Sequence, residues 1–127
     1  MTIKTHNIAP LLLRYGLGFV FLWFGFTQLH NPAAWTGFLP NWVNSLSISQ
    51  EGFVLMNGFF EIIGATFLLV GAYVRPVALL LGLHMIGITL SIGLTAVGVR
   101  DLGLSVATLA LALLGAGPFS LDNLFQE

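Results

Sequence analysis

Cysteine is absent from all 127 positions, which excludes disulfides, thiolate catalysis, iron–sulfur ligation and c-type haem attachment. Charge is scarce as well: 7% of the residues are Asp, Glu, Lys or Arg, where a soluble domain carries about 25%. The formal net charge is −1, so nothing suggests a nucleic-acid partner. No small-residue cleavage site precedes His30, and the first apolar run is too long for the core of a signal peptide, so it is expected to remain as an uncleaved anchor. The chain shows no low-complexity tract, flexible linker or internal repeat.

What the chain has is apolar length. Hydrophobic residues make up 57% of it, and a membrane helix needs about 20 of them in sequence. Four such runs occur, over residues 10–29, 52–74, 76–99 and 102–117. The expected fold is an all-α membrane protein: one domain over residues 1–127, built as an antiparallel bundle of four transmembrane helices. Their boundaries are expected at about 9–30, 51–74, 76–98 and 101–117. Asn31-Pro32 ends the first helix, because the residue before proline is pushed out of the helical region. Arg75-Pro76 forms a turn with proline in the first turn of the next helix, Arg100-Asp101 marks the last turn, and Gly117-Pro118 stops helix four. Residues 31–50 are polar and aromatic, with Trp35, Phe38 and Trp42 at helix-like spacing. They predict a short amphipathic surface segment, interrupted near Pro40, whose tryptophans anchor at headgroup depth. Lys4, Arg14 and Arg75 fall on the side of the termini and Arg100 on the other, so both termini are expected in the cytoplasm, with the chain in the plasma (inner) membrane.

In so apolar a chain, ionisable residues inside the runs demand an explanation. A charge at the bilayer centre costs at least about 2.5–3.5 kcal/mol, so such residues pair, face a cavity or do chemistry. Three qualify: Arg14, Glu61 and His84. At about 1.5 Å per residue, counted from the cytoplasmic ends, Arg14 lies roughly 7 Å deep, His84 roughly 12 Å and Glu61 roughly 18 Å. An inward-reaching Arg14 could thus meet His84 and approach Glu61. Two readings of Glu61 stand side by side: a functional carboxylate, or the partner of Arg14 in a pair that fixes helix register. Arg14 reads as that partner or as a snorkelling cation. His84 reads as a proton carrier or ligand hydrogen-bonding group, or as a satisfied interior histidine. Asn57 lies one turn from Glu61 on the same face, and Gln28 lies near the outer end of helix one. The candidates for ligand binding or proton handling are Glu61, His84, Arg14, Asn57 and Gln28. No metal is expected, since Glu61 and His84 supply two ligands where zinc wants three or four. Stripes of Gly, Ala, Ser and Thr, such as Gly87, Ser91 and Thr95 in helix three and Asp101, Ser105 and Thr108 in helix four, read as packing seams around one interior.

The runs also carry a resemblance. Leu12-Leu13-Arg14, Gly18, Phe21-Leu22-Trp23-Phe24-Gly25 and Gln28-Leu29 resemble the first helix of the DoxX family. Asn57-Gly58-Phe59-Phe60-Glu61, continuing through Gly64, Leu68-Leu69 and Gly71 to Arg75, is similar to its second. Gly115-Ala116-Gly117-Pro118-Phe119-Ser120-Leu121-Asp122 resembles its closing signature, in which Ser120 and Asp122 are expected to cap the exit of helix four. Gln28 stands where many members have a lysine and Pro118 where many have a basic residue, so a role for positive charge at either place is in question. The resemblance implies four spans and a link to membrane oxidoreductases. The family includes a subunit of a thiosulfate:quinone oxidoreductase, and related eukaryotic proteins act as chaperones in receptor assembly.

Three functions follow as expectations. The first is a membrane subunit binding a quinone-like or other hydrophobic molecule, a lipoquinone for instance, between its helices and supporting a partner oxidoreductase. The second is a non-enzymatic assembly or scaffold protein. The third is a small transporter, for which four helices would call for a homo-oligomer. The residues show no redox or hydrolytic site of the chain's own and no intrinsic cofactor, so any enzymatic role is at most that of a subunit.

Overall fold

A computed structural model of the chain describes residues 5–125; Lys4, counted above for orientation, lies outside them. Helix α1 runs over Thr5–His30, α2 over Gln50–Val70, α3 over Val74–Ile92, α4 over Ala96–Leu114 and a short α5 over Leu121–Phe125. Four of them are long and apolar enough to cross a membrane, the first counted over Ile8–His30. The protein is a multi-pass membrane protein of the all-α class.

The helices pack as two hairpins, α1 on α2 and α3 on α4, with thinner contacts of α2 on α3 and of α1 on α4 closing the ring. Small residues set the closeness of the first hairpin. A methyl group added at Gly58 would lie 3.0 Å from the carbonyl oxygen of Gly25 and 3.1 Å from Gln28 Cβ. The two backbones are therefore almost touching, the device by which membrane helices gain dispersion contacts without a hydrophobic driving force. Leu17, Phe21, Ala65, Leu68, Val74, Ala78, Leu81, Met85, Leu111 and Ala116 form the core. Leu12, Phe19, Trp23, Phe59, Ile63, Leu80, Leu90, Val106 and Leu113 point outward and are more than half exposed. Such a girdle suits lipid, which is as apolar as the side chains it meets.

Several helix boundaries differ from those expected, and glycine is the reason at three helix ends; α4, expected to run to 117 with Gly117-Pro118 as its stop, already ends at Leu114 before Gly115 (φ 85°). Helix α2 stops at Val70 because Gly71 takes a left-handed conformation (φ 75°) and its N–H returns to the Phe67 carbonyl. The turn is thus residues 71–73, and Arg75-Pro76 belongs to the first turn of α3. Helix α3 stops at Ile92 because Gly93 has φ 82°. Thr95 then starts α4 by accepting the Gly98 N–H at 3.1 Å. Arg100-Asp101, expected as the turn itself, lies within α4. The segment between α1 and α2 is interrupted at Pro40 as expected, and its halves are 3-10 helices, Pro32–Phe38 and Asn41–Ser45.

Candidate functional site

At the end of the bundle away from the termini, the hairpins separate around a cavity of about 620 Å³. All four long helices and the segment between α1 and α2 line it. Phe24 and Gln28 come from α1, Phe53, Asn57 and Glu61 from α2, His84 and Ser91 from α3, and Arg100 and Asp101 from α4. Trp35 and Trp42, expected as headgroup anchors, line this cavity, as does Phe38. Trp35 packs edge-on against Phe24 (ring centroids 5.8 Å apart), and Trp42 edge-on against Phe53 (5.8 Å). The segment closes over the end of the cavity as an aromatic cap, and its aromatic pairs hold it on α1 and α2.

Glu61 faces inward and is 3% exposed. Its partners are amides. Gln28 Nε2 donates to Glu61 Oε2 at 2.9 Å and to the Phe24 carbonyl at 3.1 Å. Asn57 Nδ2 donates to Gln28 Oε1 at 2.6 Å and to Glu61 Oε1 at 3.3 Å. The amide orientations follow from this pattern, because each NH₂ group meets two acceptors and would clash electrostatically if turned over. A buried polar group must be hydrogen-bonded to be tolerated, and the α1–α2 hairpin meets that condition for its carboxylate internally. His84 lies across the cavity on α3, its ring on that of Phe60 with centroids 4.8 Å apart. Its Nε2 is buried with no hydrogen-bond partner among the described residues. Near the mouth, Arg100 Nε stands 3.6 Å from Asp101 Oδ1, and the guanidinium lies 5.5 Å from the centre of the Phe24 ring.

Arg14 is not part of this site, and it does not pair with Glu61 or reach His84. It is fully buried near the opposite end. There its Nη1 donates to the carbonyls of Leu68 (3.2 Å) and Leu69 (3.1 Å), and its Nη2 to those of Pro118 (3.1 Å) and Phe119 (2.8 Å). The last four carbonyls of a helix lack intrahelical partners and form the negative end of its dipole. The end of α2 therefore offers a cation what a carboxylate would, and Arg14, about two and a half turns from the start of α1, lies level with it. The closing residues complete the latch. Asp122 accepts from the N–H groups of Tyr73 (2.7 Å) and Val74 (2.8 Å), and its own N–H donates to the Gly71 carbonyl at 2.8 Å. Asp122 thus caps the start of α3, not the exit of helix four. Ser120 accepts from Asn123 N–H and serves α5.

Of the five candidates, Glu61, His84, Asn57 and Gln28 share one cavity and Arg14 stands apart. Sequence reasoning missed Arg100 as a lining residue by placing it in a turn, and put Asp101 at the start of the helix-four stripe but read that stripe as a packing seam. Gly93 followed by Thr95 was the available signal, a helix stop two residues before an N-cap. Among the described residues, no group of three or more His, Asp or Glu side chains is placed to hold a metal ion.

Fold and site together define a four-helix membrane protein with a largely apolar cavity that holds a few polar side chains. A family model, that of DoxX, matches residues 9–94, more than half of the chain. The chain belongs to the DoxX family. The match spans the first three long helices and ends before Arg100-Asp101 and the closing signature. No curated protein and no solved structure matches the chain.

Proposed function

We propose that this DoxX-family protein binds a quinone-like lipophilic molecule in the cavity between its two hairpins, as a subunit supporting a membrane oxidoreductase system. The observation that carries this reading is the cavity itself. At about 620 Å³ it falls within the usual range for small-molecule sites, roughly 300–1,000 Å³. Its walls are largely aromatic and aliphatic, and four of its polar groups, Glu61, Asn57, Gln28 and His84, converge from three helices. That combination of an apolar sleeve and placed polar groups suits a ring with polar substituents and an aliphatic tail. In our reading the chain sits in the plasma (inner) membrane with both termini cytoplasmic, so the cavity opens toward the outer face.

The test is stoichiometry. Protein purified in mild detergent should carry close to one lipoquinone per chain by solvent extraction and mass spectrometry, and Glu61→Gln should carry less of it. Stoichiometric capture of another protein with no small molecule would favour an assembly role instead. Reporter fusions after Gln50 and after Glu127 should report opposite sides of the membrane; the same side for both would refute the orientation.

A further inference from the structure

We infer that the cavity selects for ligands that donate hydrogen bonds, and so takes the hydroquinone (phenolic) state of its ligand in preference to the carbonyl-only quinone state. The inference rests on the proposed ligand class and adds to it the form that is bound.

The basis is a count of hydrogens on the cavity wall. A primary amide has two N–H donors. Both of Gln28 are used, on Glu61 Oε2 and the Phe24 carbonyl, and both of Asn57 are used, on Gln28 Oε1 and Glu61 Oε1. The Ser91 hydroxyl donates its hydrogen to the Gly87 carbonyl at 3.0 Å. With Glu61 ionised, as at the pH of the test below, what these groups still offer the cavity is lone pairs: on the Glu61 carboxylate, on Asn57 Oδ1 and on Ser91 Oγ. Asp101 adds further acceptor oxygens beside its pair with Arg100. The donors remaining are the N–H of a neutral His84 imidazole beside Glu61 and, on the cap and at the mouth, the indole N–H groups of Trp35 and Trp42 and the Arg100 guanidinium, the last more than half exposed.

A ligand carbonyl can only accept, so at the Glu61 end of the cavity it finds a partner at His84 and otherwise faces oxygens. A phenolic hydroxyl both donates and accepts. It fits either wall, donating to the Glu61–Asn57 oxygens or meeting His84 from either side of that imidazole's tautomers. An oxygen facing oxygens without an intervening hydrogen is a buried unsatisfied contact, which costs more than the bond it replaces would have gained. Hydrogen bonds to an ionised acceptor are the strong class, so the hydroxyl against Glu61 is where the discrimination should arise.

The experiment compares decyl-ubiquinol with decyl-ubiquinone, binding each anaerobically at pH 8 to the purified full chain in nanodiscs. The dimethyl ether of the quinol serves as a third probe of like shape without donors. The quinol should bind at least about tenfold tighter than the quinone, equivalent to about 1.4 kcal/mol, and the ether should bind no better than the quinone. Glu61→Gln should bring the preference below about threefold, mainly by weakening the quinol. Equal affinities, or a quinone that binds tighter, would overturn the donor rule and leave the proposed quinone site standing. Binding of none of the three probes would overturn both. Should Glu61→Gln fail to fold, the ether arm on the unaltered chain still decides: an ether as tight as the quinol refutes the inference.

Discussion

The two ends of this bundle solve the same problem in opposite ways. Each holds an ionisable side chain in an apolar chain, Arg14 near the termini and Glu61 near the opposite end. Around Arg14 the polar groups are backbone. Four of the five guanidinium hydrogens meet carbonyls from the end of α2 and from the 118–119 turn. Gly71 leaves the room for this: a side chain there would overlap Ser120 and come within 2.7 Å of Arg14 Nη1. Around Glu61 the polar groups are side chains, donors on one flank and open space on the other. The first arrangement is closed and locks three helices to the tail. The second is open and leaves acceptors facing a cavity. Buried charge alone therefore does not mark function; unused hydrogen-bonding capacity beside a space does.

If the latch is structural, breaking it should have the largest effect on stability of any single change. Arg14→Gln leaves carbonyls of α2 and of the 118–119 turn without donors, and each buried unsatisfied group costs about 1–3 kcal/mol. A loss upward of about 3 kcal/mol is expected, read as a large fall in the thermal midpoint in detergent. Arg14→Lys should recover part of it, because a lysine cannot span four carbonyls with a planar fork. A midpoint for Arg14→Gln within a few degrees of the parent would show that the latch contributes little. Gly71→Ala comes next. Its φ of 75° is strained for any residue with a Cβ, at about 1–3 kcal/mol, and the added methyl meets Ser120. Asp122→Ala removes the side chain that caps α3 from outside its own sequence, and should cost about 0.5–2 kcal/mol. Ligand binding at the far end should survive both substitutions in the fraction that stays folded.

The sequence made the four helices legible because a run of some 20 apolar residues leaves few alternatives in a bilayer. It also brought out Glu61, His84, Asn57 and Gln28, since helical spacing places Asn57 one turn from Glu61 and polarity at depth is conspicuous. Arg14 was misread for a physical reason: depth along a helix says how far in a residue lies but not which neighbour turns toward it, and backbone carbonyls are invisible to a search for opposite charge. Asp122 was misread likewise, as a cap for the helix before it, when the chain folds back to cap the start of α3. Arg100 was missed, and Asp101 read only as part of a packing seam, because two charged residues between apolar runs look like a loop. They sit inside α4 since Gly93 and Thr95 had already made the turn.

The smallest expected effect tests the independence of the two ends. Had Arg14 and Glu61 formed a pair, removing one would leave the other charged and alone, a loss typically of about 3–5 kcal/mol that the double substitution would largely restore. In this structure Glu61 precedes Leu68 by seven residues on α2, about 10 Å at 1.5 Å per residue, and the two share no hydrogen-bond partner. Substitutions so separated usually add within about 0.3–0.5 kcal/mol. Glu61→Gln alone should change stability by about 1 kcal/mol or less, since the new amide can still accept from Gln28 or Asn57. Arg14→Gln with Glu61→Gln should then be less stable than the parent by the sum of the two single losses. Unfolding midpoints of the four proteins in one detergent close that cycle. A double variant more stable than Arg14→Gln alone by over about 1 kcal/mol would exceed that additivity limit. It would couple the ends and make Glu61 a stabilising partner, at the expense of its role in the cavity.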